Sequence, residues 1–278
     1  MKEIAIITGG DSAEYEISIQ SANVVLKNLD SEKYVGTIVH IKDGEWTAII
    51  NSSHHKINKE DFSVEVNSEK KKLDYVFMAL HGPPAENGKI QTYFDDLKIK
   101  YSSCNSEVSA LTFNKIECNK KLTELGFNCA KSLHHKKGDS INTDQITKTL
   151  GLPCFIKPNQ GGSSFGISKV NNEDEIKEAI NNALIHDDIV LMEQFIDGVE
   201  LSCGVTIQEG KGKAFPITEI ISQNDFFDYT AKYEGLSEEI TPARISEKHT
   251  KELQQTSEQI YKQMNLRGIC RIDFIIMN

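Results

Sequence analysis

The sequence lacks the long apolar segments, metal-binding spacings and repeats that would assign it to a common structural class. None of its apolar runs approaches the length of a membrane-spanning helix, and the apolar part of the N-terminus is too short for a signal peptide. The eight histidines do not follow the spacing of zinc ligands, and no internal repeat or low-complexity tract is visible. These absences predict a protein that neither crosses a membrane nor holds a structural zinc ion.

Disulfide motifs and excess positive charge are also missing. The six cysteines form no Cys-x-x-Cys pair, and most of them lie in apolar or strand-like surroundings, where a reduced cysteine acts as a small hydrophobic residue. We therefore expect a reducing, cytoplasmic location and no disulfide framework. The formal net charge of -10 and the pI of about 5.4 argue against nonspecific binding to nucleic acids or to anionic membranes.

The N-terminal third of the sequence contains an alternation of apolar strands and helices. Strands are predicted at residues 4–8, 34–41 and 74–80, and helices at residues 12–29 and 89–97. Ser12 is placed to cap the first of these helices, and the polar residues 43–72 are consistent with exposed hairpins. This order of elements indicates an α/β unit with a parallel sheet.

The rest of the chain predicts two smaller α+β lobes with antiparallel strands. Boundaries are predicted near residues 104 and 188, which gives an N-terminal α/β domain at residues 1–103, a central lobe at residues 104–187 and a C-terminal lobe at residues 188–278. The polar residues 224–244 are predicted to form a long loop. Two lobes of this kind form a cleft that can close on a ligand.

A loop rich in glycine and serine directly follows an apolar strand that ends in Lys157. Small residues such as Gly162, Ser163 and Ser164 leave the backbone N–H groups free to turn toward an anion, and the lysine adds a cation beside them. Such a set of donors can hold a polyphosphate. The spacing differs from that of a Walker A loop, because the lysine precedes the glycines and strands flank the loop on both sides. The same residues also suit an ordinary flexible turn.

Three further features are typical of a nucleotide cleft. Glu193 ends an apolar strand and could accept a hydrogen bond from the exocyclic amine of a purine, although a solvated strand end has the same pattern. Glu200 follows a turn and is placed to accept hydrogen bonds from ribose hydroxyls. Arg271 and Asp273 share one face of the last strand, where they suit either a structural ion pair or a metal carboxylate beside an arginine that faces a developing oxyanion.

Together these motifs resemble the D-alanine–D-alanine ligases of the ATP-grasp superfamily, and the resemblance runs along the whole chain in the family's order. The matching segments are residues 9–14 with Ile17 and Ser18, the pair His81 and Gly82 with Glu86, Gly88 and Gln91, residues 110–115, the lysine and glycine loop, Glu193 with Glu200, residues 228–233 and residues 268–273. The resemblance implies an N-terminal Rossmann-like parallel-sheet domain followed by a two-lobed ATP-grasp domain.

The resemblance implies that ATP lies between the two C-terminal lobes together with Mg²⁺ or Mn²⁺. The residues implied to bind the nucleotide are Lys115, Lys157 and Lys232 at the phosphates, Gly162, Ser163 and Ser164 in the covering loop, Glu193 and the backbone near Ile196 at the adenine, and Glu200 at the ribose. Asp273 is the implied metal ligand. Taken singly, Lys115 and Lys232 also have the ordinary interpretation of solvated lysines.

The implied reaction joins two molecules of D-alanine. The carboxylate of the first attacks the γ-phosphate of ATP, because a carboxylate is a poor electrophile until its oxygen becomes a good leaving group, and the amine of the second attacks the resulting acylphosphate. Glu14 would bind the ammonium group of the first D-alanine, His81 would lie near its carboxylate, and Arg271 would face the oxyanion. Tyr233 would close the lid by hydrogen bonding toward Glu14 and Ser163.

The resemblance also implies a homodimer formed through the N-terminal domain and a role in making peptidoglycan precursors. The pair Lys232 and Tyr233 is similar to that of dipeptide-forming enzymes and unlike that of their depsipeptide-forming relatives. Taken singly, Glu14 also has the interpretation of an acid in the first turn of a helix, and His81 that of a loop histidine.

The sequence departs from the family pattern in three places. It ends at Asn278, where family members continue with a strand that carries a Glu-x-Asn pair, so we expect a truncated chain with weak ATP binding and poor catalysis. The loop at residues 83–85 differs from the usual one, although Glu86 and Gly88 remain, and residues 159–162 vary the glycine loop without removing its hydroxyl groups.

Three alternatives remain open at this point. They are an ATP-grasp ligase for another carboxylate and amine, a nucleotide-binding module without catalysis, and a dinucleotide-binding oxidoreductase. The last is suggested by Gly9 and Gly10 after the first strand, but the sequence lacks the Gly-x-Gly-x-x-Gly motif.

Overall fold

The structure is a computed structural model that describes residues 1–162, 164–222 and 237–277. The chain divides into two compact units, Met1–Thr112 and Phe113–Asn278. No helix within the described ranges is long and apolar enough to cross a membrane. The domain boundaries near residues 104 and 188 stay predictions.

The first unit is built on an eight-stranded sheet with the strand order β6-β5-β4-β3-β2-β1-β7-β8. Its strands are β1 (Lys2–Gly9), β2 (Tyr34–Lys42), β3 (Glu45–Ile50), β4 (Ser53–Asn58), β5 (Ser63–Val66), β6 (Glu69–Lys72), β7 (Tyr75–Met78) and β8 (Lys100–Tyr101). Its helices are α1 (Tyr15–Asn28), α2 (Lys89–Asp96) and α3 (Ser106–Phe113), which ends at the division between the units. Strands β2, β1, β7 and β8 run parallel. Strands β2 to β6 are consecutive antiparallel neighbours, which agrees with the hairpins predicted for residues 43–72.

Strand β1 is buried on both faces of this sheet, which explains its continuous apolar sequence. Ile6 belongs to a buried cluster with Ala22 of α1, whereas Ile7 belongs to a second cluster with Phe94 of α2. The two helices therefore cover opposite faces. The carboxyl ends of the parallel neighbours β1 and β7 lie side by side, and ligands of α/β sheets bind at such ends.

The second unit contains two antiparallel sheets. The first has the order β11-β10-β12-β9, and the second places β13 between β17 on one side and β14 and β15 on the other, with β16 beside β15. The strands are β9 (Ser132–Lys136), β10 (Cys154–Pro158), β11 (Ser168–Val170), β12 (Ile189–Gln194), β13 (Gly198–Gln208), β14 (Lys211–Ala214), β15 (Thr218–Ser222), β16 (Ser237–Ile240) and β17 (Cys270–Met277). The helices are α4 (Lys115–Glu124), α5 (Thr143–Leu150), α6 (Ile176–Ala183) and α7 (Glu247–Gln263), with a 3-10 turn at Glu173–Glu175.

Each of these sheets has its own core. Ile156 of β10 and Ile180 of α6 belong to the core of the first sheet. Leu201 of β13 and Tyr261 of α7 belong to the core of the second. The predicted architecture, a parallel-sheet domain followed by two lobes with antiparallel sheets, is confirmed.

Two local predictions are wrong. Ser12 does not cap α1, because the helix begins at Tyr15 and its N-cap position is Glu14. The predicted loop at residues 224–244 contains β16. This strand has the sequence Ser-Glu-Glu-Ile, which carries no apolar alternation, and it forms by pairing with β15.

Candidate functional site

The glycine-rich loop joins the two strands of the β10–β11 hairpin, as the sequence predicts, and Lys157 lies near the end of β10. Positive φ angles shape the loop, with Ser164 at 61° and Gly166 at 70°. A Cβ atom at Gly166 would approach the ring of His186 to 2.5 Å, so this position requires glycine. The loop is therefore a defined turn rather than a featureless linker.

A cavity of about 130 Å³ lies against this loop. Its described lining includes two lysines and the loop residues, namely Lys115, Lys157, Gly161, Gly162, Ser164 and Phe165. Two ammonium groups and the backbone of a glycine loop suit the phosphates of a nucleotide. The structure thus brings together four of the residues predicted to bind the nucleotide, and their roles in binding stay predictions.

Lys115 is held by main-chain carbonyl groups of the loop. Its Nζ atom donates to the carbonyl oxygen of Gly161 at 2.9 Å and to that of Asn159 at 3.3 Å. The simple interpretation of Lys115 as a solvated lysine is therefore incomplete, because the ammonium group is directed into the loop region.

Glu193, the predicted adenine acceptor, is held from two sides. Its side chain is 14% exposed and forms an ion pair with Lys157, while Asn119 Nδ2 donates to Glu193 Oε1 at 2.8 Å. Burial raises the pKa of the nearby Cys129 thiol, and the charge of Glu193 adds to this rise. Lys157 therefore lines the loop cavity and also contacts Glu193, the predicted adenine acceptor.

Four predicted residues lie in or beside the second sheet of this unit. Ile196 is half-buried in the turn after β12, and Glu200 lies on β13. On β17, Arg271 Nε donates to Asp273 Oδ1 at 2.9 Å and Arg271 Nη2 donates to Asp273 Oδ2 at 3.0 Å. This arrangement is the structural ion pair that the sequence left as an alternative. Arg271 and Asp273 are not among the described residues that line the loop cavity.

The described residues offer limited support for a metal ion. In the described ranges, no group of three or more histidine, cysteine, aspartate or glutamate side chains is placed to share one. Asp273 supplies a single carboxylate, which suits Mg²⁺ only when phosphates and water fill most of its coordination shell. The described part of the chain therefore fits one ligand of a nucleotide-bound Mg²⁺ ion.

In the first unit, the two residues predicted to bind an amino acid are close neighbours. Glu14 is 8% exposed at the start of α1, beyond the carboxyl end of β1. His81 precedes Gly82, whose φ is +73°. A Cβ atom at Gly82 would lie 3.6 Å from Glu14 Oε2 and 2.8 Å from the Ser12 side chain. Glycine at this position therefore leaves room for Ser12, and any side chain there would also reach the Glu14 carboxylate.

His81 is fixed by three serines. Its ring Nε2 is hydrogen-bonded to Ser21 Oγ at 3.0 Å, its N–H donates to Ser18 Oγ at 2.9 Å, and its carbonyl accepts from Ser12 Oγ at 3.1 Å. Ser12 Oγ also accepts from the N–H of Glu14 at 3.2 Å. Ser12 therefore links Glu14 to His81 instead of capping the helix.

Three predicted site residues, Ser163, Lys232 and Tyr233, lie outside the described residues, and their roles stay predictions. Sequence reasoning missed three supporting residues, Ser21, Asn119 and Asn159, whose side-chain partners are 60, 74 and 43 residues away in the chain. No local pattern signals contacts of this range, although Asn159 does lie beside the glycine motif.

Comparison with known proteins gives a consistent result along the chain. Residues 3–104 match the family model described as D-ala D-ala ligase N-terminus, and residues 120–278 match the model described as D-ala D-ala ligase C-terminus. The chain is 49% identical over 279 residues to a D-alanine–D-alanine ligase of Flavobacterium johnsoniae, and this match covers 100% of the chain and 86% of that protein.

Solved structures agree with this match. D-alanyl-alanine synthetase A from Vibrio cholerae is 27% identical with a TM-score of 0.88, and the match covers 100% of this chain and 85% of the other. The VanG D-Ala:D-Ser ligase from Enterococcus faecalis is 32% identical with a TM-score of 0.87. This match covers 99% of this chain and 86% of the other.

Proposed function

The chain belongs to the D-alanine–D-alanine ligase family, and we propose that it joins two molecules of D-alanine while converting ATP to ADP and phosphate. The family consists of ATP-dependent ligases that use Mg²⁺. The observation that carries the proposal is the cavity in which Lys115 and Lys157 meet the glycine loop. The dipeptide product fits the synthesis of peptidoglycan precursors, and the cytoplasm is the compartment that suits this role.

Two successive bond exchanges account for the reaction. First, a carboxylate oxygen of one D-alanine forms a bond to the γ-phosphorus, while the bond from that phosphorus to the bridging oxygen breaks and ADP leaves. The ammonium group of the second D-alanine first loses one proton to solvent, and the resulting amine forms the C–N bond. Inorganic phosphate then leaves with the electrons of the C–O bond and takes up the second proton from the nitrogen. Exclusion of water matters because an acylphosphate exposed to water is hydrolysed.

At the nucleotide, lysines of the second unit would supply positive charge. Lys115 and Lys157 line one cavity, where two cations would neutralise phosphate oxygens as negative charge moves toward ADP. Glu193, which is held by Lys157 and Asn119, would accept a hydrogen bond from the adenine amine, and Glu200 would accept from the ribose. Bound Mg²⁺ would neutralise further phosphate charge, with Asp273 as its protein ligand.

At the first D-alanine, the first unit supplies a complementary pair. The Glu14 carboxylate is nearly buried, and a carboxylate in such a setting attracts an ammonium group more strongly than an exposed one does. His81, fixed by its three serines, would lie near the carboxylate of the same molecule. Arg271 would face the oxyanion that develops when the second amine attacks, which requires it to share or leave its ion pair with Asp273.

Phosphate release in the presence of ATP and D-alanine tests this function. It is measured on this chain and on a version extended by the strand with the Glu-x-Asn pair, because the match covers 86% of the Flavobacterium johnsoniae relative. We expect release with D-alanine but not with L-alanine, and the Lys157→Ala variant should lower kcat/KM for ATP by about 100-fold, because a charge-assisted contact to phosphate is lost. Lys137→Ala is the matched control, because Lys137 is an exposed lysine paired with Asp188, and its rate should stay within about twofold of the wild-type rate.

Other outcomes of the same assay separate the alternatives. ATP binding without D-alanine-dependent turnover would favour a nucleotide-binding module. Faster turnover with D-alanine plus D-serine than with D-alanine alone would favour another acceptor amine, a possibility raised by the similarity to the VanG ligase. A Lys157→Ala variant that keeps the wild-type rate would contradict the assignment of the site.

We further propose that two copies associate through the first unit. One face of its sheet carries the half-buried aromatic residues Tyr34, Tyr75 and Phe77 around a depression of about 700 Å³, and Val24 on α1 is 62% exposed. The lining of the depression also includes three charged residues, Lys2, Asp74 and Lys100. Apolar surface edged by charged residues is typical of protein interfaces. Light scattering should give twice the chain mass, and Tyr75→Glu should shift it toward the monomer. A monomeric wild-type protein would contradict the proposal.

A further inference from the structure

The N-terminus of α4 is closed by two asparagines, one of which belongs to the glycine-rich loop. A helix begins with backbone N–H groups that have no partner within the helix. In α4, the N–H groups of Ile116 and Glu117 donate to the side-chain oxygens of Asn159 and Asn114 at 3.0 and 3.1 Å. The N–H of Lys115 donates to the main-chain oxygen of Asn159 at 3.2 Å. The first three N–H groups of the helix are therefore all satisfied within the protein.

This closure determines what α4 can offer to a phosphate. An open helix N-terminus is a ready anion site, but the N–H groups at the start of α4 are already used. The positive group that the helix contributes to the cavity is instead the Lys115 ammonium, which donates to the carbonyl oxygens of Asn159 and Gly161.

Asn159 itself is fixed on a third side. It is 1% exposed, and its backbone N–H donates to the carbonyl oxygen of Ile189 on β12 at 2.9 Å. One buried residue therefore joins the helix that carries Lys115, the loop and the neighbouring strand. The next residue is tied to the same region, because the N–H of Gln160 donates to Asp187 at 2.7 Å.

We propose that Asn159 is a positioning residue for the triphosphate. Its side-chain oxygen fixes the first turn of α4 to the loop, so that the ammonium groups of Lys115 and Lys157 face the same phosphates. The inference rests on the proposed function in taking ATP as the anion. Because Asn159 acts through Lys115, its loss should affect the contribution of the phosphates to binding and leave the contribution of adenosine unchanged.

A double-mutant cycle on nucleotide affinity tests the proposal. The non-hydrolysable analogue AMPPNP and the phosphate-free nucleoside adenosine are each used to displace a fluorescent ATP analogue from the wild type, Asn159→Ala, Lys115→Ala and the double variant. We expect Asn159→Ala to weaken AMPPNP binding by about tenfold and to leave adenosine binding within about twofold. In the Lys115→Ala background, Asn159→Ala should cause no further loss, since the group that it positions is gone.

Asn142→Ala is the matched control. Asn142 caps α5 by accepting from the N–H of Gln145 at 3.0 Å. Its removal also costs one side-chain bond to the start of a helix, but at an exposed position away from the loop cavity. Both alanine variants should lower Tm by a few degrees, but only Asn159→Ala should change AMPPNP binding. If Asn159→Ala does not fold, Asn159→Ser is measured in its place.

The outcomes separate this inference from the proposed function. Additive losses in the double variant, an equal loss of adenosine binding, or unchanged AMPPNP binding in Asn159→Ala would each overturn the positioning role. A cycle that behaves as expected in a protein that releases no phosphate with D-alanine would support the positioning role and contradict the ligase activity.

Discussion

The two predicted ligand sites are held in place by different means. In the first unit, the Ser12 side chain joins the main chains of Glu14 and His81, and Gly82 leaves no room for a Cβ atom beside Ser12. In the second unit, Lys115 is held by main-chain carbonyls, and Lys157 is paired with Glu193 while its side chain keeps 22% exposure. The first site is held by neutral hydrogen bonds from serines, whereas the second presents two lysine ammonium groups beside the backbone of the glycine loop.

This difference matches the ligands that the two sites are proposed to bind. An amino acid carries its ammonium and carboxylate groups at a fixed separation, so a rigid pair of protein groups is needed to recognise both. A triphosphate carries several charges on a flexible chain, and lysine side chains can follow it without an exact fit. Substitutions in the first site should therefore change geometry, and substitutions in the second should mainly change charge.

The largest expected effect on activity comes from replacing one glycine with alanine at each of the two sites. Gly82 has a φ of +73° and no room for a Cβ atom, whereas Gly161 has a φ of +139° and nothing within 4 Å of that position. Gly82→Ala should lower kcat/KM for D-alanine by about 100-fold and stability by about 2 kcal/mol, because backbone strain adds to the displacement of Ser12. Gly161→Ala should cost less in both measurements.

Gly44→Ala controls for backbone strain alone, because Gly44 has a φ of +75° with nothing within 4 Å. Steady-state kinetics and thermal unfolding of the three variants give the comparison. If Gly82→Ala and Gly44→Ala lowered kcat/KM and stability equally, the close packing at Gly82 would not contribute to activity. The proposed difference between the two sites would then be wrong.

A smaller effect is expected from removing one hydrogen-bond partner at each site. Ser21→Ala leaves the ring of His81 without its Nε2 partner, and Asn119→Ala removes the donor to Glu193 Oε1. Each loss should raise the KM of one substrate by roughly three- to tenfold, since a single hydrogen bond contributes about 1 kcal/mol. Ser21→Ala should act on D-alanine and Asn119→Ala on ATP. A variant that raised both KM values alike and lowered the unfolding temperature would show that its side chain serves general stability.

Local sequence patterns were sufficient to predict most of the elements that carry these sites. The apolar run of β1, the glycine motif after β10 and the order of strands and helices follow from periodicity and turn residues, which act over a few positions. Strand β16 was missed because four largely polar residues become a strand only through pairing with β15. The cap at Ser12 was wrong because the chain continues for two more residues before the helix begins.

The supporting residues of the sites could not be predicted in the same way. The Asn159 side chain accepts a hydrogen bond from an N–H group of α4 that lies 43 residues away in the chain. Asn119 donates to Glu193, which lies 74 residues away. Asparagine is common in turns and at helix ends, so an asparagine in the sequence predicts a local hydrogen bond and not a distant one. The partner in each case is set by how α4 packs on the β10–β12 sheet, which no local pattern specifies.

The smallest expected effect concerns ion pairs in the two units. Glu219 on β15 is 9% exposed and accepts from Arg244 Nε at 2.9 Å and from Arg244 Nη2 at 2.7 Å, although the Arg244 side chain is itself 61% exposed. These hydrogen bonds lower the pKa of Glu219. In the first unit, Lys33 lowers the pKa of Asp30, but the two side chains are 70% and 41% exposed. Solvent screening should make the second pair nearly neutral for stability.

The sign of the pH dependence follows from these lowered pKa values. A carboxyl group whose pKa is lower in the folded state stabilises the fold above its unfolded pKa, about 4.3 for glutamate, and this stability is lost as the pH falls through the folded value. Arg244→Met should therefore lower the unfolding temperature of the second unit by a few degrees at pH 7, and the difference from wild type should shrink below about pH 4. Lys33→Met should leave the first unit unchanged at both pH values. A difference for Arg244→Met that persists in acid would mean that the arginine contributes through packing of its side chain and not through the charge of Glu219.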